Sequence, residues 1–318
     1  MTTTDRDVSA STPAAQPPAH RHRETESRER RSQVRLLSAL GHLALVGWAL
    51  VVLIPIVWTF LSSLKTGPEI FDDAWKMPKT LHFDNFVRAW TTAHIGRYML
   101  NSLIIVSLST FGTMLFGSMA AYVLARYRFW GNRLIYYLFV SGLAFPVFLA
   151  ITPLYYSVKN LGALPLIGPW IGLNTRGGLI LVYIAYSLPF TVFFLAAFFK
   201  TLPDSVAEAA IVDGASHTRL FFRVMMPMAR SGIVSITIFN ILGQWNQYLL
   251  PVALLQGQDA DQRWVLTQGI ANISTSAGFR SDWPALFAGL TLAILPMILV
   301  YGIFQRQIQA GLTAGAVK

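Results

Sequence analysis

Apolar and polar residues occur along this chain in long separate blocks. Six blocks are long enough to cross a bilayer as a helix, which needs about 20 mainly apolar residues. They cover residues 36–61, 98–123, 134–157, 179–199, 232–255 and 285–304. None contains Asp, Glu, Lys or Arg, and His42 is their only ionisable residue besides tyrosine. The pattern predicts an all-α integral membrane protein with six transmembrane helices.

The distribution of Lys and Arg predicts the orientation of these helices. One side of the membrane receives the N-terminal tail, the connections after the second and fourth blocks, and the C-terminus, which together carry sixteen Lys and Arg residues. The three connections on the other side carry nine. Because basic residues are retained on the cytoplasmic side, both termini are expected to be cytoplasmic.

The chain is expected to divide into a tail and one membrane domain. Residues 1–35 are rich in Ser, Thr, Ala, Pro, Arg and Glu, and they can bury too little apolar surface to offset chain entropy. This segment is therefore expected to be a disordered cytoplasmic tail. Residues 36–318 are expected to form the multi-pass transmembrane domain.

Composition narrows the class of protein. Hydrophobic residues make up 54% of the chain and charged residues only 13%, against about 25% charged in soluble domains. The net charge of +10 is therefore attributed to basic residues held at the membrane surface and in contact with lipid, and no nucleic acid partner is expected.

Several kinds of catalytic chemistry are missing from the sequence. None of the six lysines follows a glycine, so the chain has no Walker A loop for ATP. It contains no cysteine and no HExxH motif. No catalytic residue, cofactor or metal site is expected. If the chain pumps a solute, its energy comes from another subunit; a self-contained ion-coupled carrier is the alternative.

The connection at residues 200–231 predicts a compact polar projection. Pro203 can open a short helix, and Asp204 or Ser205 can cap it, Ser205 through a capping box. Gly214 permits a tight break, after which a second short helix follows. Two short helices that meet at a glycine can transmit force between a soluble domain and the bilayer.

This connection resembles the EAA motif of ABC importer permeases. The family pattern is EAA, three residues, Gly, nine residues and then Ile-x-Leu-Pro. The matching residues here are Glu208, Ala209, Ala210, Gly214, Val224, Met225, Met226 and Pro227. Val224 and Met226 replace the family's Ile and Leu, and both are mild apolar substitutions.

In that family the loop forms the coupling helix, which sits in a groove of the ATPase subunit. The resemblance therefore implies that Glu208, Ala209, Ala210, Asp213 and Gly214 form the ATPase-docking element. Small alanines would allow close approach, the carboxylate of Glu208 would make polar contacts, and Gly214 would supply the turn. An accidental match in a surface loop is the alternative.

The resemblance is closest to the carbohydrate (maltose-type) group, and within it to the smaller permease subunit. It covers about residues 36–318 and is carried further by residues 101–103, 121–127, 188–190, 212–216, 245–246 and 311–318. It implies a type I ABC importer permease fold in a bacterial cytoplasmic membrane. The implied partners are a second permease, an ABC ATPase dimer, an extracytoplasmic sugar-binding protein and the sugar itself.

The fifth block is the most polar and suggests a translocation pathway. Asn240, Gln244, Gln247 and Tyr248 follow offsets of 0, 4, 7 and 8, which place them on one face of a continuous helix. Amides and a phenol suit sugar hydroxyls because they donate or accept hydrogen bonds without introducing charge. Hydrogen bonding between membrane helices is an equally good explanation. The identity of the sugar is open.

Overall fold

The regular structure of the chain is helical. The computed structural model describes residues 19–276 and 282–316, with the side chains of residues 38–275 and 282–307, and these ranges contain no strand. The helices are α1 (Ala19–Ser62), α2 (Gly67–Asp72), α3 (Asp84–Thr91), α4 (Ile95–Arg126), α5 (Asn132–Ala144), α6 (Val147–Gly162), α7 (Gly168–Ile171), α8 (Arg176–Thr201), α9 (Asp204–Val212), α10 (His217–Leu220), α11 (Met226–Met228), α12 (Arg230–Trp245), α13 (Leu249–Leu254), α14 (Leu266–Ser276) and α15 (Trp283–Ala316). A π-helical turn, Phe221–Met225, joins α10 to α11, and a 3-10 turn, Ala260–Gln262, lies between α13 and α14. The prediction of an all-α protein is confirmed for the described residues.

Four helices are long and apolar enough to cross a bilayer unaided. They are the Ser38–Ser62 part of α1, α4, α8 and the Trp283–Gln307 part of α15. Two further candidates are bent pairs, α5 with α6 at 111° and the segment His217–Met228 with α12 at 80°. The described residues therefore provide four spans, or up to six if each bent pair crosses once.

The third and fifth apolar blocks are each interrupted by a break in the helix. The third block breaks between Ala144 and Val147, where Pro146 has no amide hydrogen to donate to the preceding turn. Within the fifth block, α12 ends at Trp245 and α13 begins only at Leu249. Composition identifies both blocks as apolar, but it does not show where the helix breaks.

The chain forms two compact units, and α1 supplies the first as far as Val57. In the second unit, which begins at Trp58, α4 packs along α8. Small residues allow this close approach: a Cβ atom added at Gly117 would lie 2.6 Å from Thr191 Cγ2. Close packing through small residues is typical of helices in membranes. Lipid tails are as apolar as the side chains, so the hydrophobic effect does not drive these helices together.

Three apolar clusters surround this helix pair. One lies where α4 and α8 end and includes Tyr122, Phe199 and Phe221. A second joins the α6–α8 region to α13, and a third joins the start of α4 to α14 and α15. The second unit therefore has a continuous framework with α4 at its centre.

The connection between α1 and α4 is also ordered. Lys65 is buried, and its ammonium donates hydrogen bonds to the main-chain oxygens of Asp73 (3.3 Å) and Ala74 (2.8 Å). Arg88 Nε donates to Asp282 Oδ2 at 2.9 Å, which joins α3 to the start of α15. Burial raises the pKa of Asp282, but the hydrogen bond from Arg88 and that from the Ala285 amide outweigh it, so the pKa lies below its usual value.

The expected tail overlaps the described part of the chain only in part. Helix α1 begins at Ala19, inside the segment 1–35. Residues 1–18 lie outside the described residues. Disorder of the tail therefore stays a prediction.

The close α4–α8 contact predicts that Gly117→Ala destabilises the protein. The added methyl group must displace the buried side chain of Thr191, which costs about 1–3 kcal/mol in a packed interior. Thermal unfolding in detergent should show a lowered midpoint. Gly302→Ala is the matched control because it lies in α15 with no atom within 4 Å of the added Cβ. Equal midpoints for the two variants would contradict this account of the contact.

Candidate functional site

Helix α9 and the turn after it form a short projection between α8 and α12. Pro203 has an extended backbone (ψ 132°), and α9 begins at the next residue. Beyond the helix, Gly214 adopts a left-handed conformation with φ +79°, which glycine reaches without a Cβ clash. The Ala215 amide then donates back to the Ala210 carbonyl at 2.9 Å. The break expected at Gly214 is confirmed.

The beginning of this projection differs from the sequence expectation. The N-cap residue is Pro203, and no side chain caps α9, so the capping box through Ser205 does not form. The carboxylate of Asp204 instead accepts a hydrogen bond from Arg126. The second short helix does have a side-chain cap, since Ser216 Oγ accepts from the Arg219 amide at 3.3 Å.

The five residues predicted to dock an ATPase lie close together on this projection. Glu208, Ala209, Asp213 and Gly214 are exposed, and Ala210 is half-buried. The inner face of α9 packs against the cluster of Tyr122, Phe199 and Phe221 through Ala207 and Ala210. The outer face is left open.

Two apolar side chains on this open surface were missed in the sequence. Val212 is 86% exposed and Ile211 is 52% exposed, beside the small and acidic residues of the motif. Isolated exposed apolar residues are common, but two adjacent ones at the tip of a projection favour contact with a protein. The signal available in the sequence was an Ile-Val pair directly before Asp213 and Gly214.

The end of α4 holds both halves of the projection. The guanidinium of Arg126 pairs with Asp204 and donates to the main-chain oxygen of Leu202 at 3.0 Å. The next residue, Tyr127, hydrogen-bonds through its hydroxyl to His217 Nδ1 at 2.9 Å. Because these two neighbours hold the starts of α9 and α10, the projection is fixed to α4. We call this contact the Arg126–Tyr127 clamp.

A second polar region lies inside the helix bundle around Asn240 and Gln244. Both side chains are buried in α12. Asn240 Nδ2 donates to Thr191 Oγ1 in α8 at 2.9 Å. Gln244 Nε2 donates to Ser187 Oγ in α8 at 3.0 Å.

The Gln244 carboxamide also contacts α4. Its oxygen accepts hydrogen bonds from Ser109 at 2.6 Å and from Thr110 at 3.1 Å. Gln244 therefore joins three helices in one network. Hydrogen bonding between helices, which the sequence left as an alternative, describes the two amides in this structure.

The other two members of the predicted polar face lie outside α12. The helix ends at Trp245, so Gln247 and Tyr248 do not continue the face of Asn240 and Gln244. Gln247 Oε1 accepts from the Tyr248 amide at 3.1 Å, and the Tyr248 side chain is 43% exposed. The single helical face predicted for all four residues is wrong because the helix breaks within it.

The chain matches the family described as binding-protein-dependent transport system inner membrane component over residues 113–313. The chain belongs to this family. The matched range contains the projection, the Arg126–Tyr127 clamp, Asn240 and Gln244.

Individual relatives agree with this membership. The chain is 47% identical to the diacetylchitobiose uptake system permease protein NgcG of Streptomyces coelicolor, over 90% of this chain and 91% of that protein. It is 34% identical to the trehalose transport system permease protein SugB of Mycobacterium tuberculosis, over 86% of this chain and 94% of that protein. A crystal structure of a bacterial ABC transporter involved in the import of the acidic polysaccharide alginate has the same fold, with a TM-score of 0.74, 19% identity, and coverage of 86% of this chain and 96% of that one.

The clamp predicts that Arg126→Ala loosens the projection. Loss of a hydrogen bond to a charged group costs about 1.5–3 kcal/mol. Amide hydrogen exchange in residues 204–216 should therefore accelerate by roughly tenfold or more. Arg128→Ala is the matched control, because Arg128 is exposed and forms no ion pair with any described residue. Unchanged exchange in Arg126→Ala would show that the clamp does not hold the projection.

Proposed function

We propose that this chain is the permease subunit of a binding-protein-dependent ABC sugar importer. It would form half of the translocation pathway and couple that pathway to a separate ATPase. The observation that carries the proposal is the exposed α9 projection, fixed to α4 in a chain that has no nucleotide-binding loop of its own. The family membership fits this role.

The proposal includes four partners. A second permease would complete the pathway, an ABC ATPase dimer would dock on the projection, and an extracytoplasmic binding protein would deliver the sugar. The named relatives transport diacetylchitobiose and trehalose, according to their descriptions, which supports a short oligosaccharide as the substrate class. A self-contained ion-coupled carrier is not supported by these relatives.

We further propose six spans in a bacterial cytoplasmic membrane, with both termini in the cytoplasm. This count takes each bent pair as one crossing. Arg128, Arg133 and Lys200 line one open cavity of about 780 Å³ where α4 ends, α5 begins and α8 ends. Such a concentration of basic residues at one end of the bundle supports a cytoplasmic location for that end.

Coupling would pass from the projection into the helix bundle by rigid contacts. ATPase closure would move α9, and the Arg126–Tyr127 clamp would pass that displacement to α4. Helix α4 is joined to α8 and α12 through Gln244, so these three helices would move together between outward-facing and inward-facing states. Asn240 and Gln244 would then preserve the bundle around the pathway, and Gln247 and Tyr248 lie in the break between α12 and α13.

The docking proposal predicts that Glu208→Lys and Gly214→Asp uncouple transport from ATP hydrolysis. The first reverses a charge on the exposed face, and the second places a side chain at φ +79°, where non-glycine residues cost about 1–2 kcal/mol. Both variants should insert normally into the membrane. Sugar uptake and binding-protein-stimulated ATPase activity should both fall.

Gly131→Asp is the control for backbone strain alone. Gly131 also has positive φ (+88°) and open space around it, but it lies in the α4–α5 turn. The Gly131→Asp variant should retain more coupling between ATP hydrolysis and sugar transport than Gly214→Asp does. Normal transport by both projection variants would rule out this docking surface.

A further inference from the structure

An uncharged cavity lies between α13 and α14, near the start of α4, whereas the clamp lies at the end of α4. Its volume is about 350 Å³, within the range of about 300–1,000 Å³ typical of small-molecule sites. Aromatic, amide and hydroxyl side chains provide its polar and stacking groups, and they are Tyr248, Gln256, Trp264, Gln268, Asn272 and Thr275. No ionisable side chain other than tyrosine lines it. We call it the outer cavity.

One amide in this cavity has no partner for its oxygen. Gln268 is only 7% exposed, and its Oε1 atom is buried without a hydrogen bond. A buried acceptor without a donor is costly, and buried polar groups in proteins are nearly always paired. Gln268 therefore offers an unpaired acceptor beside the cavity.

The cavity walls are fixed by contacts on the opposite face of α14. Ser102 Oγ accepts from the Leu266 amide at 2.8 Å, which attaches the start of α14 to α4. Gly269 allows α14 to pack closely against Tyr98, since an added Cβ would lie 2.0 Å from Tyr98 Cδ2. With that face packed on α4, the face at offsets 0, 4 and 7 from Gln268 is left to the cavity.

The break after α12 supplies the facing wall. Thr267 Oγ1 donates to the Gln247 main-chain oxygen at 2.8 Å, so the break and α14 are joined directly. The ring of Tyr248 reaches the cavity from this side, and Trp264 reaches it from the start of α14. The site therefore does not have to be assembled by the ligand.

We propose that the outer cavity is a sugar subsite, in which Tyr248 and Trp264 stack on a pyranose ring and Gln268 accepts a hydrogen bond from a sugar hydroxyl. The proposal rests on the proposed sugar-import function and gives this subunit a substrate contact of its own. Uncharged amides and aromatic faces suit a neutral sugar, whereas an anionic ligand would require basic groups that the cavity lacks. This site replaces the continuous helical face expected from sequence.

Substrate protection of an introduced cysteine tests the proposal directly. The natural chain has no cysteine, so Thr275→Cys adds one reactive thiol at the cavity and Ser274→Cys adds one at an exposed neighbour outside it. Maleimide labelling would be followed by mass spectrometry of this chain in native membrane vesicles. Millimolar diacetylchitobiose or trehalose should slow labelling of Thr275→Cys several-fold and leave Ser274→Cys unchanged. No protection at 275 by either sugar, or equal protection at both positions, overturns the proposal.

A second measurement separates substrate contact from a structural role. Gln268→Leu removes the orphan acceptor while keeping a similar shape, and Gln262→Leu makes the same change at an exposed residue outside the cavity. Gln268→Leu should lower the sugar imported per ATP hydrolysed several-fold, with binding-protein-stimulated ATPase activity near normal. An unchanged ratio, or a parallel loss of both activities, overturns the subsite. If the unmodified complex imports no sugar at all, the proposed function fails, and that result is distinguishable from failure of the subsite alone.

Discussion

The packing of α4 against α8 is the contact on which the rest of the second unit depends. Gly117 brings the helices close enough for Thr191 to be fully buried between them. With this pair fixed, α4 acts as a spine that other elements join at three levels. Ser102 holds α14 at one end, Ser109 holds the Gln244 network in the middle, and Arg126 holds the projection at the other end. Each of these attachments is a hydrogen bond or an ion pair made by a side chain of α4. Because hydrogen bonds are directional, these contacts orient the attached elements as well as stabilising them.

The sequence predicted this architecture well where the information is local. Long apolar blocks identified the helices because a bilayer demands continuous apolar length, and Gly214 identified the turn because few other residues tolerate positive φ. The break after Trp245 was not predicted in position, since the residues on both sides of it belong to one apolar block. The composition of a segment shows that it is apolar. The direction of its helix axis depends on the helices that pack against it.

The candidate site shows the same division. Motif spacing predicted which residues form the projection, and they lie close together on it, with Ala210 half-buried and the other four exposed. The clamp could not be predicted, because Arg126 and Asp204 are 78 positions apart and meet only after α4 and α8 pack. The sequence offered a local cap for α9 instead, and the distant guanidinium displaced it. Arg126 pairs with the Asp204 carboxylate and also donates to the main-chain oxygen of Leu202, and hydrogen bonds of this charge-assisted kind are stronger than neutral ones.

Buried polar groups in this protein fall into two kinds, and the difference bears on where substrate can be recognised. The Asn240 amide nitrogen donates to Thr191, and both ends of the Gln244 carboxamide bond to serine and threonine on neighbouring helices, so a sugar would have to break those bonds to use these groups. Gln268 is held in place from behind, through Ser102 and Gly269, and its oxygen has no bond to lose. A site that transfers a ligand onward must bind it without first unfolding its own framework. That requirement favours the unpaired amide oxygen at the outer cavity over the bonded amides at the centre of the bundle.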